Sequence, residues 1–358
     1  MKNTHNRKNT IFIRVDSGQK IGYGHLIRCM ALGDKLKKNW HVIFVTSNIK
    51  GNITSIVKNN FQVIQLKTAY GDLSKVIIKD DAIETVQTIK KFGNKNSFLI
   101  VDNYKLSQRW ESIVKPYVKR LIVIDDLMNR KHNCDLIIDQ NLHTRMNSLY
   151  TKSIPKNCTK LLGPYYAILR NQFITQRKYA KIRSLPIKNI LISFGGSDNE
   201  NYTLHALASL KKLNSDVNVN VVIGTANMNK KTIKNFCKKN LNFNYFEQVE
   251  NMAKLMKIAD LCIGSSGTTT WERCCLGLPA IVAVASNDQK DIANAVSNNK
   301  CIINLGKIKK SDNVNYIHLI KNLKNSDLQN MSKNCMKLVD GKGATRISKY
   351  IFSMIKSD

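Results

Sequence analysis

Residues 11–32 read IFIRVDSGQKIGYGHLIRCMAL, and this stretch decides the fold. Residues 11–15 form a short apolar run that predicts a buried strand, and Gly18, Gly22 and Gly24 then free the backbone to turn. Over residues 26–32 apolar side chains recur at helical spacing, which predicts a helix with His25 in its first turn. Strand–loop–helix connections of this kind are where open α/β sheets bind ligands.

His25 is therefore a candidate functional residue. The positive end of a helix dipole disfavours an imidazolium, so we expect a neutral side chain that can accept a proton. Taken alone, His25 is better explained as a histidine that caps the helix or packs in a core.

Composition indicates a globular protein. The chain has 358 residues, 43% of them hydrophobic and 23% charged, which favours two domains. We expect no membrane span and no signal peptide, and hence a cytoplasmic location. We also expect a monomer. The net charge of +32 comes from lysines scattered along the whole chain rather than clustered, so we interpret it as a solvated surface and predict no nucleic-acid partner.

The nine cysteines include no CxxC pair, and the seven histidines show no metal-binding spacing. Because several cysteines lie inside apolar patterns, we predict reduced core residues, with no metal and no cofactor.

Strand and helix patterns alternate in two successive blocks. The first block predicts strands at residues 11–15, 41–45, 61–66, 98–101, 121–124 and 136–138, and a helix around 82–92. The second predicts strands at 190–194, 219–223, 261–263, 280–284 and 301–304, and the final amphipathic segment, 344–355, is a candidate to return to the first domain. The basic, poorly periodic residues 171–184 place the boundary near residue 180, giving domains 1–180 and 181–358. The predicted fold is α/β, with two Rossmann-like, doubly wound domains facing a cleft.

Two loops of the second block have the composition of phosphate-binding loops. Residues 195–198 read GGSD and residues 264–269 read GSSGTT, each between a strand and a helix. Glycines let backbone N–H groups approach an anion, and hydroxyls add donors, so the pair suits a diphosphate. The alternative is that Ser197 with Glu200, and Thr269 with Glu272, form capping boxes that need no ligand.

A family resemblance rests on a set of segments in order along residues 11–293. They are IRVDSGQKIGYGHLIRC, VDNY, IDDL, HNCDLIIDQN, LLGPYYAILR, ISFGGSDNEN and GSSGTTTWERCCLGLP. The chain resembles the UDP-2,4-diacetamido-2,4,6-trideoxy-β-L-altropyranose hydrolases of pseudaminic acid biosynthesis. These are relatives of the peptidoglycan N-acetylglucosaminyltransferase and have the GT-B fold.

The resemblance implies that water attacks the anomeric carbon of a UDP-sugar with inversion and that UDP leaves. It makes His25 the general base and Tyr104 a substrate-positioning residue, and it places UDP on the second domain. It implies that Gly196 and Ser197 lie near the phosphates, with Thr268 and Thr269 beside them and Glu272 on the ribose hydroxyls. The further predicted substrate-binding residues are Arg14, Asp16, Gly22, Gly24, Gly195, Ser266, Gly267, Asn287, Asp288 and Gln289. The chain departs from the family at Asp288, where relatives often have asparagine before glutamine; the amide can instead be supplied by Asn287.

Several of these residues also have structural explanations. Asp16 fits a cap on the glycine-rich turn, Arg14 a structural ion pair, and Tyr104 a shield at the core edge. We assign Asp125, Asp126 and His132 to loop shaping. Besides hydrolysis, two other functions are kept: a GT-B glycosyltransferase in which an acceptor hydroxyl replaces water, and a non-enzymatic binder of nucleic acid or UDP-sugar.

Overall fold

The computed structural model describes residues 9–18, 21–67, 75–143, 146–212, 216–309, 312 and 314–355. The chain divides into two units, each with its own parallel sheet. The first unit spans Met1–Asn141, Arg145–Arg170 and Lys342–Asp358, and the second spans Leu142–Thr144 and Asn171–Gly341. The division therefore falls about ten residues before the predicted boundary, and the C-terminal segment belongs to the first unit rather than to the second.

The first unit holds a seven-stranded sheet in the order β3-β2-β1-β4-β5-β6-β7, with all pairs parallel. Its strands are β1 (Thr10–Val15), β2 (His41–Ser47), β3 (Gln62–Leu66), β4 (Phe98–Asp102), β5 (Arg120–Ile124), β6 (Leu136–Asp139) and β7 (Thr159–Leu162). Its helices are α1 (Gly24–Leu36), α2 (Thr54–Lys58), α3 (Lys75–Phe92), α4 (Gln108–Val114) and α13 (Gly343–Ser353), with short 3-10 helices at Lys115–Tyr117, Met146–Ser148 and Pro164–Tyr166. Strand β1 is buried along its whole length, as its apolar run predicts.

The second unit holds a six-stranded parallel sheet in the order β10-β9-β8-β11-β12-β13. Its strands are β8 (Asn189–Ser193), β9 (Asn218–Ile223), β10 (Phe243–Glu247), β11 (Leu261–Ser265), β12 (Ala280–Ala283) and β13 (Ile302–Asn304). Its helices are α5 (Asn171–Arg177), α6 (Tyr202–Leu210), α7 (Lys230–Lys239), α8 (Met252–Ile258), α9 (Thr269–Cys275), α10 (Asn287–Asn298), α11 (Tyr316–Lys321) and α12 (Asn325–Leu338).

Both sheets reverse their strand order at one internal point. In the first unit β1 lies between β2 and β4, and in the second β8 lies between β9 and β11. The reversal lies between β1 and β4 in the first sheet and between β8 and β11 in the second, and the connections leave the two strands of each pair toward opposite sides. The gap beyond the carboxyl ends of such a pair is where doubly wound sheets bind ligands. The chain thus offers one such position in each unit.

Helix α13 explains why the C-terminal segment joins the first unit. Ala344, Ile347 and Ile351 are buried and lie in one apolar cluster with Leu26 and Leu32 of α1. Burying these side chains stabilises the unit by roughly 25 cal/mol per Å² of apolar surface, so the amphipathic face finds its core here.

All nine cysteines are free and buried, as the sequence predicts. Three of them, Cys274, Cys301 and Cys335, come together with their sulfur atoms all within 4.8 Å of one another. Within the described ranges this is the one group of three or more potential metal ligands, and the sequence shows no sign of it because its members lie far apart in the chain. The helices of the described chain include none long and apolar enough to cross a bilayer.

Candidate active site

His25 begins the functional site of the first unit. Helix α1 starts at Gly24, which confirms that His25 lies in its first turn. The turn before the helix depends on Gly22, whose φ of +83° is unfavourable for residues with a Cβ and whose N–H donates to the Gly18 carbonyl at 2.8 Å. The loop after β1 therefore delivers the imidazole to the carboxyl end of the sheet.

Asp102 is the partner of His25. It is the last residue of β4, which pairs with β1 so that Asp102 lies opposite Val15. Its Oδ1 lies 2.7 Å from His25 Nδ1. An ionised carboxylate only accepts hydrogen bonds, so Nδ1 carries the proton, and in the neutral imidazole Nε2 keeps its lone pair. The Arg28 nitrogen that lies 3.1 Å from Nδ1 therefore donates to Asp102 and not to the ring. Within the described part of the chain, no residue forms a hydrogen bond with Nε2.

Arg28, one helical turn after His25, holds the same carboxylate. Its Nε lies 2.6 Å from Asp102 Oδ2 and its second terminal nitrogen 2.7 Å from Oδ1, which is a two-pronged ion pair. Burial alone would raise the pKa of Asp102, but the charge of Arg28 and the hydrogen bonds that Arg28 and His25 donate hold it well below its usual range. Asp102 is therefore ionised throughout the physiological pH range.

Tyr104 packs against the imidazole. The two rings meet edge to face with centroids 4.4 Å apart, and Tyr104 remains 38% exposed. Burial of its hydroxyl and the nearby Asp126 carboxylate raise the pKa of Tyr104, so it stays a neutral phenol that can donate a hydrogen bond. Arg130 fixes the loop because it donates to the Tyr104 carbonyl at 2.7 Å.

Arg14 and Asp16 lie in a buried network beside this site. Arg14 is fully buried and bonds Asp16 at 2.7 Å and Asp81 at 2.6 Å, and Asp16 also accepts from the Ser47 N–H at 2.7 Å and from Asn103 at 2.8 Å. For Arg14 these contacts are the structural ion pair considered from the sequence. The contacts of Asp16 go to Arg14, Ser47 and Asn103 and not to the glycine-rich turn that it was considered to cap. The predicted contact of Arg14 and Asp16 with a substrate remains a prediction.

His132 lies in a second buried cluster of charge. Its Nδ1 is 2.7 Å from Glu111 and its Nε2 is 3.6 Å from Asp125, which also pairs with Arg130. Burial lowers the pKa of His132, but the nearby Asp125 carboxylate and the hydrogen bond to Glu111 prevail and raise it from 6.5 to about 9. This cluster shapes the loop after β5, in agreement with the role assigned to Asp125 and His132.

The raised pKa of His132 makes stability depend on pH. A histidine with a raised folded-state pKa contributes its full stabilisation below its unfolded value and loses it as the pH rises through the folded value. We expect the free energy of unfolding to fall by up to about 3 kcal/mol between pH 6.5 and 9, at 1.36 kcal/mol per pKa unit. Urea unfolding at several pH values across this range measures the free energy of unfolding. His132→Gln should make this free energy depend less on pH, and His41→Gln, at an exposed histidine, should not. An equal dependence on pH in both variants would contradict the assignment.

The loop after β8 presents its polar groups to solvent. Gly195, Gly196 and Ser197 are exposed, and Gly195 has a φ of +92° that favours glycine. Asp198, rather than Ser197, caps α6, because its two oxygens accept the N–H groups of Tyr202 and Thr203 at 3.0 Å. The capping box considered for Ser197 and Glu200 does not form, so the Ser197 hydroxyl is not part of a helix cap.

The loop after β11 is more enclosed. The Ser266 side chain is fully buried, and its hydroxyl has no hydrogen-bond partner among the described residues. Thr268 occupies the N-cap position of α9 without a side-chain cap bond, and Thr269 accepts from Arg273 at 3.4 Å. The capping box considered for Thr269 and Glu272 is therefore also absent, because Thr269 lies inside the helix; Glu272 is half-buried in the first turn.

The other predicted residues of the second unit lie on or near the same loop. A Cβ added to Gly267 would lie 3.8 Å from the amide nitrogen of Gln289, and the Gln289 amide oxygen accepts from the Ala285 N–H at 3.3 Å. Asn287 and Asp288 begin α10, but their side chains lie outside what the structure describes. The structure thus brings Gly267 and Gln289 together.

Sequence reasoning missed Asp102, which bonds His25, and Arg28, which holds Asp102. Asp126, which was assigned to loop shaping, also bonds Arg28. Two signals point to the two missed residues: Arg28 follows His25 by three residues on one helix face, and Asp102 ends a strand predicted in the same sheet.

Comparisons with known proteins agree with this architecture. Residues 190–349 match the family described as Glycosyltransferase family 28 C-terminal domain. Over 290 residues the chain is 28% identical to Uncharacterized protein MJ1062 of Methanocaldococcus jannaschii, covering 78% of this chain and 57% of that protein. The chain thus spans just over half the length of this relative. Over 258 residues it is 25% identical to the UDP-2,4-diacetamido-2,4,6-trideoxy-beta-L-altropyranose hydrolase of Campylobacter jejuni, covering 72% of this chain and 85% of that protein.

A solved structure extends the likeness to the whole chain. The crystal structure of MurG from Acinetobacter baumannii matches with a TM-score of 0.66 at 13% identity, covering 97% of this chain and all of that one. The two parallel α/β units, together with the match to this neighbour, show the GT-B fold and confirm the predicted fold class.

Proposed function

We propose that this protein hydrolyses a UDP-linked diacetamido-trideoxy hexose to UDP and free sugar, with water attacking the anomeric carbon. An enzyme that acts on nucleotide sugars is supported by the hydrolase relative and by the family 28 match. The choice of water as the nucleophile follows the hydrolase relative. The base that would activate this water rests on one observation: His25 is bonded to Asp102 through Nδ1, and no residue of the described chain bonds its Nε2.

The dyad is suited to activate water. In the proposed step Nε2 removes a proton from water as its oxygen forms a bond to the anomeric carbon, and the bond from that carbon to the phosphate oxygen breaks with its electrons going to UDP. Attack opposite the departing oxygen inverts the anomeric centre. Asp102 keeps the imidazole in the required tautomer and stabilises the imidazolium that forms.

The leaving group needs charge stabilisation more than a proton, because UDP is a weak base. We assign this task to the second unit, where backbone N–H groups of the loops after β8 and β11 are suited to hold a diphosphate. The capping box considered for Ser197 does not form, and the Ser266 hydroxyl has no hydrogen-bond partner in the described chain, which leaves both serines as candidate donors. Tyr104 is proposed to position the sugar beside His25.

The alternative is a glycosyltransferase, in which an acceptor hydroxyl takes the place of water. The family 28 match favours it. The same base could deprotonate either nucleophile, so the chemistry of the dyad does not separate the two functions.

Isotope labelling distinguishes the two functions. The purified protein is incubated with the UDP-trideoxy sugar in ¹⁸O-labelled water, with no acceptor present. We expect one ¹⁸O atom in the anomeric hydroxyl of the released sugar and none in UDP, because the carbon–oxygen bond is the one that breaks. Label in UDP would place the attack at phosphorus, and turnover only after an acceptor is added would establish a transferase; either result contradicts the proposal.

A further inference from the structure

Asp126 presents a buried carboxylate oxygen beside the dyad that has no partner. Its Oδ2 accepts from Arg28 at 2.7 Å, and the Asp126 side chain is only 7% exposed. Its Oδ1 is buried and forms no hydrogen bond within the described residues. Buried polar atoms nearly always form hydrogen bonds, so a buried carboxylate oxygen without a partner in a candidate active site indicates that a donor binds there.

The charges around Arg28 add to this need. One guanidinium bonds both Asp102 and Asp126, so two carboxylates share a single cation. The Tyr104 hydroxyl interacts with the Asp126 carboxylate, but it is neutral and does not offset this charge, and Arg130 is already paired with Asp125. Since Asp102 has both oxygens occupied by Arg28 and His25, the unmatched negative charge is available at Asp126 Oδ1.

We propose that Asp126 is a sugar-binding residue whose Oδ1 accepts a hydrogen bond from a hydroxyl or amide N–H of the substrate. The inference rests on the proposed function, since it names the group that orients the sugar of that reaction. Its place supports it: the Asp126 carboxylate is close enough to Tyr104 to raise the pKa of that phenol, and Tyr104 packs on the His25 ring. Arg28 is then the positioning residue that holds both the base-orienting and the sugar-binding carboxylate.

Binding measured without turnover tests this. In a His25→Asn background, which prevents the reaction, affinities for UDP and for the UDP-trideoxy sugar are compared with and without Asp126→Asn. Arg28 requires an acceptor, so the asparagine oxygen faces it and the amide NH₂ takes the place of Oδ1. We expect the affinity for UDP-sugar to fall about 10- to 100-fold, the effect of one hydrogen bond to a charged group, and the affinity for UDP to stay unchanged. Asp34→Asn, at an exposed carboxylate of α1, is the matched control and should change neither.

A second readout reports on the dyad itself. The downfield proton resonance of His25 Nδ1–H, recorded with His25 intact, should persist in Asp126→Asn if Asp126 acts on the sugar and not on the base. Unchanged UDP-sugar affinity would mean that Oδ1 binds only water, and loss of the resonance together with the affinity would make Asp126 a positioning residue of the dyad; both overturn the inference. Failure of the proposed function looks different, because wild-type protein would then release no labelled sugar.

Discussion

Replacing His25 with asparagine or alanine is expected to abolish hydrolysis while leaving UDP binding intact. A positioned general base contributes about 100- to 10,000-fold, so kcat should fall by at least about 100-fold. The affinity for UDP should not change, because the residues assigned to UDP lie in the second unit and His25 lies in the first. Single-turnover rates and equilibrium binding of UDP measure the two quantities separately.

The matched control is His41→Asn, which removes an exposed imidazole from the start of β2 in the same unit. It should leave both quantities at their wild-type values. A His25 variant with near-normal kcat would refute the general base, and loss of UDP affinity in the same variant would indicate that the substitution disturbs more than the base.

The sheets and the position of His25 could be predicted from sequence because both depend on local patterns. A central parallel strand is buried on both faces, so β1, β4 and β8 read as continuous apolar runs that periodicity identifies. Edge strands carry a weaker signal. Strand β10, which reads FNYFE and is partly exposed, was missed, because a strand covered on one side need not be apolar throughout.

The electrostatic partners of the site could not be read from the sequence in the same way. Asp102 meets His25 across 77 residues of chain, and the contact depends on the register in which β4 pairs with β1. Apolar patterns set which strands are buried, but they do not specify which polar strand end faces which loop. The cap on α6 shows a similar limit: Ser197 and Glu200 have the spacing of a capping box, yet the helix begins later and Asp198 supplies the bonds.

Asp102→Asn is expected to reduce kcat nearly as much as loss of His25 itself. Arg28 needs acceptors on the side chain at position 102, so the asparagine oxygen turns to the guanidinium and its NH₂ faces Nδ1. Nδ1 must then accept, the proton moves to Nε2, and the base loses the lone pair with which it would deprotonate water. We expect kcat to fall by about 100-fold or more with little change in UDP affinity, and the downfield Nδ1–H resonance to disappear.

The double variant His25→Asn with Asp102→Asn makes this prediction specific. If Asp102 acts only through the imidazole, removing it adds little once His25 is absent, because the effects of residues that work as a unit are not additive. Asp135→Asn, at a half-buried carboxylate paired with Lys115 in the same unit, controls for the loss of an ionised group. A kcat within a few-fold of wild type in Asp102→Asn, or a double variant far slower than His25→Asn, would show that the carboxylate does not act by orienting the base.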